Sequence, residues 1–136
     1  MKILLIQPPL RLYDFELHSA SPPLGLASIA SVLQKQDHEV KIVDSVVMGY
    51  SNPIKIKNEI HLGLSWEQIS KIISKFKPEV VGISCLYSSQ SNNALKVAEL
   101  VKKIDKDIIV FTGGAHPSSS PKEVISNINV DHIIIG

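Results

Sequence analysis

Pro78-Glu79-Val80-Val81-Gly82-Ile83-Ser84-Cys85-Leu86 decides how this chain folds. Its run Val80–Ile83 is strand-length, mostly β-branched, and shows no alternation with polar residues. A strand reads this way when both of its faces are covered, as in a parallel sheet flanked by helices. Runs of the same kind lie at Ile3–Ile6, Val40–Val43 and Ile108–Phe111, and Ile133–Ile135 supplies a fifth.

Helical patterns fill the intervals. Leu24–Gln36 sets Leu26, Ile29, Ala30 and Leu33 on one stripe, and Trp66–Phe76 does so with Trp66, Ile69, Ile72, Ile73 and Phe76. Ser65 stands as the N-cap of that second helix, with Gln68 at the reach-back position of a capping box. Asn92–Ile104 carries Leu95, Ala98, Val101 and Lys102 at helical spacing. Pro121–Ile128 predicts a short helix with Ser120 as cap and Pro121 at its first position, where a missing N–H is harmless.

Strand and helix thus alternate four times before a closing strand. Parallel neighbours need such crossovers, which are right-handed. The pattern predicts one α/β domain over residues 1–136: a flavodoxin-like (Rossmann-like), doubly wound, five-stranded parallel sheet. The strand order 2-1-3-4-5 is assigned by analogy with that fold. Residues 45–64 are long for a connection and read as a variable surface insertion.

Composition narrows the function. With 136 residues, 44% hydrophobic and 20% charged, the chain suits one packed core and is not a disordered segment. A net charge of +1 and an aromatic content of 5% give no footprint for nucleic acid or an anionic membrane. Lys71, Lys75, Lys77, Lys96, Lys102, Lys103 and Lys106 read as solvent-facing charges on helices. The apolar start is stopped by Pro8 and Pro9, too soon for a signal peptide or a membrane span. One cysteine, Cys85, excludes an internal disulfide or a cysteine-held cluster within these residues, and points to a reducing, cytoplasmic setting. Nothing near it marks an activated thiolate.

In open α/β sheets ligands bind beyond the carboxyl ends of the strands. Those ends are Gln7-Pro8-Pro9, Asp44, Ser84-Cys85-Leu86-Tyr87 and Thr112-Gly113-Gly114-Ala115-His116-Pro117. They are small, hydroxylated and almost uncharged, which suits a long neutral ligand better than a triphosphate. No Gly-x-x-x-x-Gly-Lys-Ser/Thr loop and no Gly-x-Gly-x-x-Gly fingerprint occur. A phosphoacceptor domain would need aspartate where Ser84 and Cys85 stand. A flavin phosphate would meet two prolines that donate no N–H, so nothing here supports mononucleotide binding; a flavodoxin-like flavin-binding protein and a cofactor-free interaction domain of the same fold stand as the alternatives.

Several of these pieces together carry a family resemblance. Ile6-Gln7-Pro8-Pro9, Pro22-Pro23-Leu24-Gly25-Leu26-Ala27, His38-Glu39-Val40 with Asp44, Pro78–Ser84 and Thr112-Gly113-Gly114-Ala115-His116-Pro117 occur in order from end to end. The chain resembles the N-terminal cobalamin (vitamin B12)-binding domain of cobalamin-dependent radical S-adenosylmethionine enzymes. The resemblance implies that the nucleotide tail of cobalamin contacts Ser84, Leu86, Gly113 and Gly114, from a Ser-x-Leu pattern after the third strand and a Gly-Gly pattern after the fourth. Gln7, Pro8 and His116 join them as cofactor-facing candidates.

The broader cobalamin fold often places a cobalt-binding histidine in Asp-x-His-x-x-Gly. Here only His18, within Glu16-Leu17-His18-Ser19-Ala20-Ser21, survives from that pattern. The radical branch commonly binds cobalamin without a protein histidine, so the resemblance implies no metal ligand, with His18 the one residue left to consider. It further implies a corrinoid partner and, in cis, a radical S-adenosylmethionine domain. That domain would hold a 4Fe-4S cluster and S-adenosylmethionine on a Cys-x-x-x-Cys-x-x-Cys motif, which is not among these residues. A fragment of this kind would have no turnover alone; its parent would run methyl transfer or another radical reaction.

Overall fold

A computed structural model describes residues 1–13 and 20–136. In chain order its elements are β1 (Lys2–Gln7), β2 (Leu10–Tyr13), α1 (Leu24–Gln34), β3 (Glu39–Asp44), α2 (Ser45–Met48), β4 (Ile54–Ile56), β5 (Glu59–Leu62) and α3 (Trp66–Phe76). There follow β6 (Val80–Ser84), α4 (Ser91–Ile104), β7 (Ile109–Gly113), α5 (Ala115–Ser119), α6 (Pro121–Ile125) and β8 (His132–Ile134).

Five strands build a parallel sheet in the order β3-β1-β6-β7-β8. Numbered within that sheet alone, the order is 2-1-3-4-5, and the fold is flavodoxin-like as expected. Because side chains alternate along a strand, each residue's face follows from the register. Leu4, Ile6, Val43, Val81, Ile83 and Val110 point to one side and form the main core with Ile69 and Ile73 of α3, Ala94, Val97, Ala98 and Val101 of α4, and Val124 of α6. Ile3 and Leu5 point to the other side, where Leu26 and Ala30 of α1 cover them.

Coverage of this second face is unequal. α1 packs on β1 and β3, with Val40 and Ile42 beneath it and Val80 at its margin. Beyond that margin Ile109 and Ile134 stay 42% and 55% exposed. The flank of α1 is likewise bare, which leaves Ile29, expected on the buried stripe, 46% exposed.

The reading of residues 45–64 as a surface insertion is corrected. β2, β5 and β4 form a second, antiparallel sheet, entered from α2. Leu10, Leu12, Val46 and Leu62 give it a core of its own. The Asp44 side chain accepts the Val47 N–H and caps α2. At the turn after β5, Gly63 has φ +132°, and a Cβ on Gly49 would fall 2.1 Å from the Gly63 carbonyl carbon. Two bare backbones cross there, a close approach that only glycine allows.

Smaller differences have local causes. α3 and its Ser65–Gln68 capping box agree with expectation. α6 ends at Ile125, and Ile128 lies beyond it at 93% exposure with no core to reach. The Ser120 hydroxyl makes no cap bond to α6. The buried stripe of α4 runs through Ala94 and Val97, one position off the expected line through Leu95. Lys102 is not a solvent-facing charge: it is 14% exposed, 2.7 Å from the Asp131 carboxylate, and donates to the Ile108 carbonyl at 2.7 Å.

Candidate functional site

At the carboxyl ends of β6, β7 and β8, register places three residues side by side on the face that α1 leaves bare: Ser84, Gly113 and Ile134. The row two residues below holds Leu5, Gly82, Phe111 and His132. An open strip, a short trench, thus lies over Ser84 and Gly113, and below it the Leu5 side chain covers Gly82. Leu5 and α1 bound the strip on one side, and Phe111 and His132 on the other.

The two glycines on this face differ atom by atom. A Cβ on Gly113 would meet only Ile134, at 3.6 Å and beyond, so the space above it is open. A Cβ on Gly82 would press the Leu5 Cδ2 atom at 2.8 Å, so Leu5 leans over that position. Among the described residues the Ser84 hydroxyl has no hydrogen-bond partner. A half-buried hydroxyl beside an empty glycine position is a ready donor or acceptor for something laid along the strand.

Gly114 has a different task. Its φ is +120°, and a Cβ there would lie 2.5 Å from the Cys85 carbonyl oxygen and 2.9 Å from its carbon. The chain crosses tightly here: the Cys85 N–H donates to the Gly113 carbonyl at 2.8 Å, and the His116 N–H donates to the Cys85 carbonyl at 3.2 Å. The space over Gly114 is thus filled by Cys85. Burial pushes the Cys85 thiol up to about 11, well away from a reactive thiolate.

His116 is only 5% exposed, and its Nδ1 shares a hydrogen bond with the Ser88 hydroxyl at 2.9 Å. Its Nε2 is buried and has no partner in the protein. The residue ties the turn after β6 to α5, which places it behind the strand tips. Leu86 and Tyr87 are 51% and 66% exposed at the tip of β6, so Leu86 is no core leucine.

Gln7 and Pro8 end β1 beside a crevice shared with Ser84, Cys85, Leu86, Tyr87 and Gln90. This crevice lies at the switch point of the strand order, yet its volume is about 10 Å³, hardly room for one water. Two residues that the sequence reading missed hold the chain beside it. Gln90 accepts the Arg11 N–H and donates to the Arg11 carbonyl, each at 2.9 Å, and Asn93 donates to the Pro9 carbonyl at 2.7 Å. The second sheet is thereby clasped to the start of α4. The exposed trench over β6 and β7 is what stays available. A larger hollow of about 670 Å³, lined by Met1, Lys77, Glu79, Ile104 and Ile109 among others, lies at the opposite, amino-terminal end of the strands, away from every loop named above.

Among the described residues no group of three or more His, Cys, Asp or Glu side chains could hold a metal ion, and no helix is long and apolar enough to cross a membrane. His18 lies outside the described residues. Phe111 escaped sequence reading because it sits inside an aliphatic run. Counting back two from Gly113 puts it on the trench face, and that is the signal that finds it.

Comparison with known proteins bears on this site. The model of the B12 binding domain matches residues 11–136. The chain is 35% identical over 138 aligned positions to cytidylyl-2-hydroxyethylphosphonate methyltransferase of Streptomyces wedmorensis, covering 99% of this chain and 26% of that protein. It is 34% identical to an uncharacterized methyltransferase of Pyrococcus horikoshii, covering 90% of this chain and 23% of the relative. The chain thus spans about a quarter of the length of these relatives. Among solved structures, a cobalamin-binding protein from Desulfitobacterium hafniense superposes with a TM-score of 0.62 at 16% identity, over 98% of this chain and 52% of the other. The response regulator TrrA from Thermotoga maritima gives 0.59 at 13% identity, over 99% and 85%. At such identities the two structures speak for the fold alone.

Proposed function

We propose, since this chain belongs to the B12-binding domain family, that it holds a corrinoid at the carboxyl-terminal rim of its sheet, with the nucleotide tail laid in the trench over Ser84 and Gly113. The observation that carries this reading is the free Ser84 hydroxyl beside the open Gly113 position, on a strip of sheet that α1 does not reach. The residues fit the group: bare backbone at Gly113, one hydroxyl at Ser84 and apolar neighbours suit a bulky, flat-sided and mostly neutral appendage.

When bound, the corrinoid supplies cobalt-centred group-transfer chemistry, and the protein's part is to bind and orient it. Ser84 hydrogen-bonds the tail, while Gly113 lets it approach the backbone. Leu86 and Tyr87 give an apolar rim to the strand tip, with Gln7 and Pro8 beside them. Gly114 and His116 act from behind by holding the tips of β6 and β7 together through Cys85 and Ser88. No described residue is assigned to cobalt.

The same reading makes the chain one domain of a longer cytoplasmic enzyme. A radical S-adenosylmethionine domain in cis, with its 4Fe-4S cluster, would receive the corrinoid and carry out methyl transfer or another radical reaction. The names of the two methyltransferase relatives, and the quarter of their length matched here, support it.

Titration of the purified chain with hydroxocobalamin, followed by the visible spectrum, tests the binding step. Saturable spectral change is expected, weakened at least tenfold in Ser84→Phe and Gly113→Val. No change with the parent chain, or unaltered binding in both variants that still melt cooperatively, overturns the assignment. A three-cysteine motif in the reading frame beyond Gly136 tests the larger enzyme.

A further inference from the structure

After Ser84 the chain forms a strap, residues 85–90, that runs from the tip of β6 to the start of α4. It carries Leu86 and Tyr87, both exposed and in none of the hydrophobic clusters that hold the fold together. Cys85 ties the strap to β7, and Ser88 ties it to α5 through His116. Its far end is held in another way. Gln90 stands at the N-cap of α4, yet its side chain makes no cap bond. That position favours Ser, Thr, Asp or Asn, whose short side chains reach the free N–H groups of the first turn. The Gln90 amide instead turns away from the helix, accepting the Arg11 N–H and donating to the Arg11 carbonyl, each at 2.9 Å. Arg11 lies on β2, the outer strand of the second sheet. A primary amide offers the donor and acceptor of a peptide group, so Gln90 stands in for one rung of a further strand. The helix forgoes a cap for this grip, and a local preference set aside in that way points to a task elsewhere.

Resting on the corrinoid reading above, we propose that Gln90 is a positioning residue for the bound cofactor: its grip on the Arg11 main chain sets where Leu86 and Tyr87 stand at the rim. Gln90 acts through the strap and not by touching the cofactor. It shares the crevice at the switch point with Gln7, Pro8, Ser84 and Leu86, so it lies beside the residues it aligns. Within the strap the Gln90 N–H donates to the Tyr87 carbonyl at 3.0 Å, which closes a turn between the gripping residue and the aromatic one. With the grip removed, the ties to β7 and α5 remain, but the strap loses its reference to the second sheet across the switch point. Leu86 and Tyr87 then have to be ordered when the ligand arrives. Side chains set in place beforehand spare binding that entropy cost.

The test is a double-mutant cycle read by spectral titration with hydroxocobalamin. Gln90→Met keeps the side chain's length and loses both bonds, while Tyr87→Ala removes the ring that the grip aligns. Each single variant is expected to raise Kd about threefold to tenfold, the scale of one or two side chains ordered in advance. The double variant is expected to bind no more weakly than the weaker single one, because a ring that is gone cannot be misplaced. Asn93→Leu is the control: it loosens the second sheet through Pro9 and not through the strap, so its effect adds to that of Tyr87→Ala. A thermal melt accompanies every variant, and a purely structural role lowers Tm while leaving the Gln90 cycle additive. If Gln90→Met does not melt cooperatively, Gln90→Glu, which keeps the acceptor and loses the donor, takes its place. If the parent chain binds no hydroxocobalamin, the corrinoid reading falls and this role with it. If the parent binds, the reading stands, and the positioning role is overturned by any of three results: unaltered Kd in Gln90→Met or in Tyr87→Ala, additive losses in their double variant, or equal coupling in the Asn93 control.

Discussion

The two adjacent glycines after β7 make opposite predictions when each receives one methyl group. Gly114 has φ +120°, a conformation that strains any side-chain-bearing residue by about 1–3 kcal/mol. Its new Cβ would also stand 2.5 Å from the Cys85 carbonyl oxygen and 2.9 Å from the carbon, both main-chain atoms that cannot swing aside. Relieving the clash means opening the Cys85–Gly113 and Cys85–His116 hydrogen bonds, each contributing about 1 kcal/mol. Gly114→Ala should therefore cost about 3 kcal/mol or more, a large share of the 5–15 kcal/mol typical of a domain. For 136 residues that is roughly a 10 °C fall in Tm. Gly113→Ala meets only Ile134, at 3.6 Å, and has no positive φ, so its stability should stay within about 1 kcal/mol of the parent. Urea unfolding followed by far-UV circular dichroism reads both, with equal m-values securing the comparison. The reasoning fails if the two variants lose stability equally, or if Gly114→Ala lies within 1 kcal/mol of the parent.

Three other outcomes follow from contacts already described. Asn93→Leu leaves the buried Pro9 carbonyl without its donor, so a loss of about 1–3 kcal/mol is expected in the same unfolding assay; hydrogen exchange should show β2 and β5 loosening before the main sheet. For Asp131, burial works to raise the carboxyl, but the Lys102 ammonium and the Val110 N–H outweigh it and hold the group below the usual aspartate range. Its stabilisation is full above the unfolded value near pH 4 and drains away as pH falls through the lower folded value, so Asp131→Asn should flatten the acid limb of the stability profile below about pH 4. Cys85, whose thiol burial pushes up to about 11, should resist a thiol-specific disulfide reagent at pH 8 and react at once when the chain is unfolded in urea.

The parallel sheet was open to sequence reading because its strands are buried on both faces and announce themselves as unbroken aliphatic runs. β2 and β5 did not, since Leu10-Arg11-Leu12-Tyr13 offers only two buried positions of an alternating pattern and Glu59-Ile60-His61-Leu62 buries two adjacent residues with no alternation, too little to separate from a loop. Their pairing depends on a contact between segments far apart in sequence, which no local propensity records. His61 makes the point sharply: it is buried, bonded to the Leu64 carbonyl at 2.8 Å, and packed edge-on against Trp66, so the stretch that looked least ordered is anchored to α3. Ser84 and Gly113 could be named in advance because a motif carried them. Gly114 could be named too, but that its empty side-chain position is filled by the Cys85 backbone is visible only in three dimensions. Gln90 and Asn93 were invisible because an amide at the start of a helix has many possible partners.

The join between the tips of β6 and β7 runs through the amide and carbonyl of Cys85, with the His116–Ser88 bond as a tie further back. The side chains of Ser84 and Leu86 take no part in keeping the ends together. Mutation can then reshape the lining one residue at a time while the scaffold holds its position, so a lineage that keeps this knot is free to retailor its cargo. Drift in what the domain carries would leave its architecture untouched.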